Sequence, residues 1–279
     1  MSRPPGANAE LALLLELSGT PKPGNVDRQR EYADLTFEQF LAGAVGARAG
    51  LDDAADGAAV GDAFETAVAG MARQDGGNTQ FGALLLLTPL VRAAATDRLT
   101  PDGAAAVVDE TTVDDAAGFY RAFDHVDVFV DEPPDSMDDL DVRRGSDAVP
   151  ALRERGLTLA DVMAASAPAD GVAAEWTAGF ERTFAAAASL LDADGPLSER
   201  VPTVFLDLLA AEPDSLIAKR HGESVAAEVT ERAAELQGAD PEAVTEWADE
   251  LVADGINPGT TADVTAAALF VALERGLAV

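Results

Sequence analysis

The 279-residue chain carries 19 Lys and Arg against 50 Asp and Glu, a net charge of −31, while 48% of its residues are hydrophobic. That balance argues against nucleic acid and anionic membrane surfaces as partners, and the apolar fraction argues against disorder. The absence of cysteine excludes disulfides, thiolate catalysis and Cys-based metal clusters, and two histidines far apart in sequence form no HExxH or local Ser/His/Asp arrangement.

In chain order, residues 9–18, 36–50 and 59–74 place apolar side chains at i, i+3, i+4 and i+7, the period of a helix with one buried face. Residues 78–95 are apolar almost all round and predict a central buried helix, kinked or divided at Pro89. Helical patterns return at 115–123. Residues 126–130 alternate like a strand, but one strand cannot make a sheet. The acidic, Pro-containing stretch 130–147 reads as a loop or hinge between a front half and a back half. Further helices are expected within 146–156, 158–167, 173–193, 198–212, 224–238, 241–255 and 261–276, several opened by Ser or Thr and closed by Gly. The expected fold is all-α: one compact domain over 1–279, of roughly a dozen helices, with a site built from loops. The N-terminus lacks a signal-peptide pattern and the longest apolar stretch is too short to span a bilayer, so a cytoplasmic protein is expected. The acidic excess reads as a solvated surface suited to a salt-rich cytoplasm.

Four polar loops are richer in ligand-capable residues than connectors need to be: "PKPGNVDR" (21–28), "DGGNTQ" (75–80), "EPDSLIAKRHG" (212–222) and "INPGTTAD" (256–263). A helix N-terminus offers unpaired N–H groups and partial positive charge to phosphate. Gly24, Gly77 and Gly259 allow close backbone approach, and Asn25, Asn78, Thr79, Asn257 and Thr260 supply hydrogen bonds. Ordinary capping is the competing explanation for any one loop. In a chain so poor in cations, Lys22, Arg28, Lys219 and Arg220 are candidates to clamp phosphate, with His221 as either a helix cap or a proton donor. Asp27, Asp214 and Asp263 lie in the same loops, and carboxylates beside cations suit Mg²⁺ bound together with a substrate phosphate. No Walker A or GxGxxG motif is present.

The stretches "TPKPGNVDR", "GGNTQFGALLLL" and "INPGTTADVTAAALF" resemble the triphosphoribosyl-dephospho-coenzyme A synthase family. Its bacterial members make the prosthetic-group precursor of citrate lyase and malonate decarboxylase. The resemblance spans almost the whole chain. It implies an all-helical transferase that moves a triphosphoribosyl group from ATP to an acceptor hydroxyl, such as that of dephospho-CoA, and expels adenine. Where the bacterial enzymes have Asn-Thr-His-Lys-Gly, this chain has Asn78-Thr79-Gln80-Phe81-Gly82, and their Asn-Pro-Gly-Gly-Ser-Ala-Asp becomes Asn257 to Asp263 with threonines at 260 and 261. These departures point toward archaeal-type relatives, some linked to pterin-type one-carbon cofactor pathways, and leave the acceptor open. A nucleotide-dependent enzyme or binding protein of such a pathway, or a non-catalytic nucleotide-binding helical protein, is the alternative. Read through the resemblance, Asp27 or Asp214 stands beside the reacting ribose, Asp27 and Asp263 hold Mg²⁺, and the remaining loop residues hold ATP and a small-molecule acceptor. Self-association into a homodimer stays an open option.

Overall fold

A computed structural model describes residues 3–131 and 135–279. Fifteen α-helices are formed among them: α1 (Pro5–Ser18), α2 (Phe37–Asp56), α3 (Val60–Met71), α4 (Phe81–Ala95), α5 (Pro101–Asp109), α6 (Val113–Ala122), α7 (Val149–Arg155), α8 (Leu159–Ser166), α9 (Gly171–Thr177), α10 (Glu181–Asp192), α11 (Leu197–Ala211), α12 (Ser215–His221), α13 (Glu223–Leu236), α14 (Pro241–Ala253) and α15 (Gly259–Glu274). No strand occurs among the described residues, and 126–130 run as irregular chain. Two short 3₁₀ turns, Asp135–Leu140 and Val142–Ala148, occupy most of the expected hinge, whose residues 132–134 lie outside the described part.

The core forms where the sequence is apolar all round. α4 and α15 are buried on nearly every face and pack against each other, with α1, α2 and α10 around them. α4 runs through Pro89 without division. The proline removes the N–H that would have bonded the Leu85 carbonyl, and the indole N–H of buried Trp176 takes that carbonyl instead at 3.2 Å. A second apolar cluster lies under α11 to α14, with Phe205, Ile217, Val229, Leu236 and Trp247 at its centre. α11 serves both clusters, Val204 and Leu208 facing the main core and Phe205 and Leu209 the smaller one.

The expected helix over 173–193 is two helices. Gly179 and Phe180 both adopt left-handed φ values, 64° and 61°, which ends α9. The buried Glu175 carboxylate then accepts from the Thr183 N–H and hydroxyl at 2.9 and 2.6 Å, capping the first turn of α10. Two further helices arise where no apolar period announces them, α5 behind an N-capping Thr100 and α12 behind an N-capping Asp214. Among the described residues no helix is long and apolar enough to cross a membrane.

Candidate active site

The loop 19–32 is closed by its own polar residues. The Asp27 carboxylate accepts from the backbone N–H of Lys22, Gln29 and Arg30 and from the Arg30 guanidinium, at 2.8–3.2 Å. Arg30 also pairs with Asp249 of α14 at 2.6 Å and donates to the Thr245 carbonyl. Gly24, at φ 71°, lies so close to the Ile256 carbonyl that any Cβ would overlap it. The loop is thereby pressed against the turn that opens α15.

That turn is held from the other side by Asp214. One carboxylate oxygen caps α12 through the Leu216 and Ile217 N–H groups, and the other accepts from the Thr261 N–H and hydroxyl at 2.7 and 2.8 Å. Ser215 adds a third tie, accepting from the Gly171 N–H and sharing a 2.9 Å hydrogen bond with the Thr260 hydroxyl. The starts of α9, α12 and α15 are therefore fixed to one another.

A cavity of about 470 Å³ opens beside these helix starts. Its polar wall brings together residues from all four sequence loops: Asn25; Asn78 and Thr79; Lys219 and Arg220; and Asn257, Gly259, Thr260 and Asp263. The Asn25 amide donates to the Asn257 carbonyl oxygen at 2.9 Å across 232 positions of sequence. Lys219 pairs with Asp170 at 2.5 Å, and the Arg220 guanidinium lies 4.9 Å over the Phe129 ring. Much of the remaining lining is apolar, with Phe81, Phe119 and Phe123 in mutual edge contacts at 4.9–6.4 Å, and Leu140, Val162 and Met163 also part of it.

Other sequence-predicted residues stand elsewhere. Lys22, Asp27 and Asp214 are buried one layer behind the wall, and Gly24 shapes the loop from behind. Lys22 meets Glu16 and Asn25, and all four of Asp214's hydrogen bonds, like those of Asp27, go to the protein itself. Arg28 and Gly77 are exposed and outside the lining, as is His221, whose Nε2 lies 3.2 Å from the Gly255 carbonyl near the end of α12.

Asp263 differs from these acids. It sits in the first turn of α15 against Gly82 at the start of α4, where a Cβ would collide with its carboxylate. Burial, reinforced by the charges of Asp214 and Glu16, holds its carboxyl well above the usual carboxylate range. Of the other acids on the wall, Asp141 pairs with Arg143, Asp170 pairs with Lys219, and Asp131 is exposed. Asp263 has no cationic partner among the described residues.

Sequence reasoning did not identify the aromatic wall, Ser215 or Asp170. The phenylalanines carry the same periodic signal as core residues, and Ser215 and Asp170 carry the same signal as helix caps.

Comparison with known proteins gives the arrangement its context. A family model, CitG, described as ATP:dephospho-CoA triphosphoribosyl transferase, matches residues 2–278. The crystal structure of a putative triphosphoribosyl-dephospho-CoA synthase from Archaeoglobus fulgidus superposes with a TM-score of 0.70 at 27% identity, covering 86% of this chain and 99% of that one. Among curated proteins none matches by sequence.

Proposed function

The chain belongs to the CitG family of ATP:dephospho-CoA triphosphoribosyl transferases, and from that premise we propose that the cavity beside α4, α12 and α15 is where the transfer takes place. The reaction forms a bond from a ribose hydroxyl oxygen of dephospho-CoA to C1′ of ATP and breaks the C1′–adenine bond. Adenine leaves with that electron pair, and the hydroxyl proton is balanced by one gained on adenine. The observation that carries the site is the convergence of all four polar loops on one cavity that also holds a cluster of aromatic rings.

In this reading the triphosphate lies toward Lys219, Arg220 and the N-terminal turn of α15, where the two cations and the helix dipole favour it. Asn25, Asn78 and Asn257 orient the sugar and base by hydrogen bonds. The aromatic wall suits a purine, which both substrates carry. A cavity of this volume lies within the range of small-molecule sites.

Mg²⁺ is part of the proposal, and the candidate ligands differ in how well they fit it. Asp27 accepts from three backbone N–H groups and an arginine, so a metal there would have to displace them. Asp263 is free of a cationic partner and faces the cavity, which suits an ion that keeps waters and phosphate oxygens and takes one or two carboxylates. Among the described residues no group of three or more acids or histidines is gathered to hold a metal without substrate. Asp263 would thus hold Mg²⁺ arriving with ATP, and the ion would neutralise charge on the triphosphate.

The test is chromatographic detection of adenine from ATP, Mg²⁺ and dephospho-CoA in molar KCl. Adenine is expected only when the acceptor is present, in equal amount to the transferred group. Arg220→Ala should raise the KM for ATP by roughly 10- to 150-fold, the worth of a charged hydrogen bond of about 1.5–3 kcal/mol. Folded protein that neither binds ATP nor releases adenine would end this reading.

A further inference from the structure

We propose that Lys22 is a positioning residue: acting through Asn25, it fixes which atom of Asn257 faces the nucleotide. The inference rests on ATP occupying the cavity as argued above, and it assigns a task to a cation that does not itself reach the cavity.

Lys22 is fully buried, with its ammonium donating to the Glu16 carboxylate and to the Asn25 carbonyl oxygen, the latter at 2.9 Å. The Phe205 ring covers it, 5.8 Å from the nitrogen to the ring centre. An ammonium has donors only, so Asn25 has one choice of orientation: carbonyl toward Lys22, amide nitrogen away. That nitrogen donates to the Asn257 carbonyl oxygen at 2.9 Å. The second amide is therefore fixed in the same sense. Its oxygen is taken, and its own nitrogen has no protein partner among the described residues. Two amides in series thus carry the polarity of one buried charge to the wall and present a donor there. A donor matches the acceptors of a nucleotide: phosphate oxygens, ribose oxygens and purine ring nitrogens. Glu16 balances the lysine, so the chain of contacts delivers direction without adding net charge beside the substrate.

A thermodynamic cycle separates this task from a merely structural one. ATP affinity is measured by calorimetry with Mg²⁺ in molar KCl for wild type, Lys22→Met, Asn257→Ala and the double variant, with helicity and melting checked for each. Each single change should weaken binding by about tenfold, the loss of one oriented hydrogen bond. In the Asn257→Ala background, Lys22→Met should cost less than about twofold, because the atom it orients is gone. Equal losses in both backgrounds overturn the proposal.

Lys22→Met leaves Glu16 buried without its partner, so Asn25→Asp serves as a second route. It keeps an acceptor for Lys22 but sets an oxygen against the Asn257 carbonyl, forcing that amide to turn its acceptor toward ATP. The added charge weakens binding in either background, whereas the turning effect vanishes with Asn257→Ala. A loss several-fold smaller in that background is expected, and an unchanged loss overturns the proposal. A wild type that binds ATP and releases adenine with an additive cycle removes only the role of Lys22. A wild type that binds no ATP removes the functional reading and this inference with it.

Discussion

Asp263 shows how a single carboxyl can bear on stability. Its carboxyl is pushed above the ordinary range chiefly by burial and then by the charges of Asp214 and Glu16. The folded protein consequently binds this proton more tightly than the unfolded chain does. The stabilisation is complete below the unfolded value, near 4, and is lost as pH rises through the higher folded value. Glu16 shares the direction, burial again being the largest cause. Wild-type melting temperature should therefore fall between mildly acidic and mildly alkaline pH. Asp263→Asn keeps the shape and removes the charge, so it should melt higher at neutral pH and show a shallower slope, each kcal/mol appearing as roughly 2–4 °C. The same variant should lose adenine release. A pH series of melting curves checks the first part, and an unchanged slope would show that Asp263 is not its source. Asp27 and Asp214 illustrate the limit of reading a residue alone. In sequence they look like reactive carboxylates, and in the fold both are hydrogen-bond acceptors, Asp27 closing its own loop and Asp214 tying α12 to α15. Composition cannot tell an acid facing a substrate from one facing backbone N–H groups.

At the level of elements, helices with a long apolar period were legible and those built on caps were not. α4 and α15 follow directly from runs that are apolar on every side. α12 is seven residues long with one buried side chain, Ile217, so it has almost no period to read. It exists because Asp214 caps it and the same carboxylate grips Thr261 of α15. The break between α9 and α10 depends on a left-handed Phe180, a conformation that the sequence pattern does not announce. The convergence of the four loops was expected from their chemistry, while the aromatic part of the lining required the three-dimensional packing of α4 and α6. Two expectations follow from these joints. Asp214→Asn turns an N–H donor toward the Thr261 N–H and should destabilise the fold by about 1–3 kcal/mol, the penalty of an unpaired buried group. Trp176→Phe keeps the ring but leaves the Leu85 carbonyl without its donor, and should cost about 1–3 kcal/mol for the same reason. Denaturant unfolding measures both, and a neutral result at Trp176 would mean that water replaces the indole.

For the whole molecule the dominant fact is charge. Nineteen basic residues face fifty acidic ones, and many of the basic ones are already engaged locally, as Arg48 is with Glu10 and Asp52, and Arg121 with Asp62 and Glu65. The unbalanced acids lie mainly on exposed faces, where α13 and α14 alone present Glu223, Glu228, Glu231, Glu242, Glu246 and Glu250 to solvent. At low ionic strength these charges repel across tens of ångströms, since the screening length is about 30 Å at 0.01 M and about 3 Å at 1 M. The cluster under α11 to α14 opposes that repulsion with a small apolar core of its own, so this region should respond first. Trp247 lies in that cluster and Trp176 in the main core, which gives each region its own fluorophore. Across a KCl series from dilute buffer to molar salt, helicity and melting temperature should rise together. The Trp247 signal, isolated in a Trp176→Phe background, should recover at a higher salt concentration than the Trp176 signal isolated by Trp247→Phe. Coincident recovery would mean that the two clusters fold as one unit, and full helicity with unchanged melting in dilute buffer would remove salt adaptation as the reason for the acidic surface.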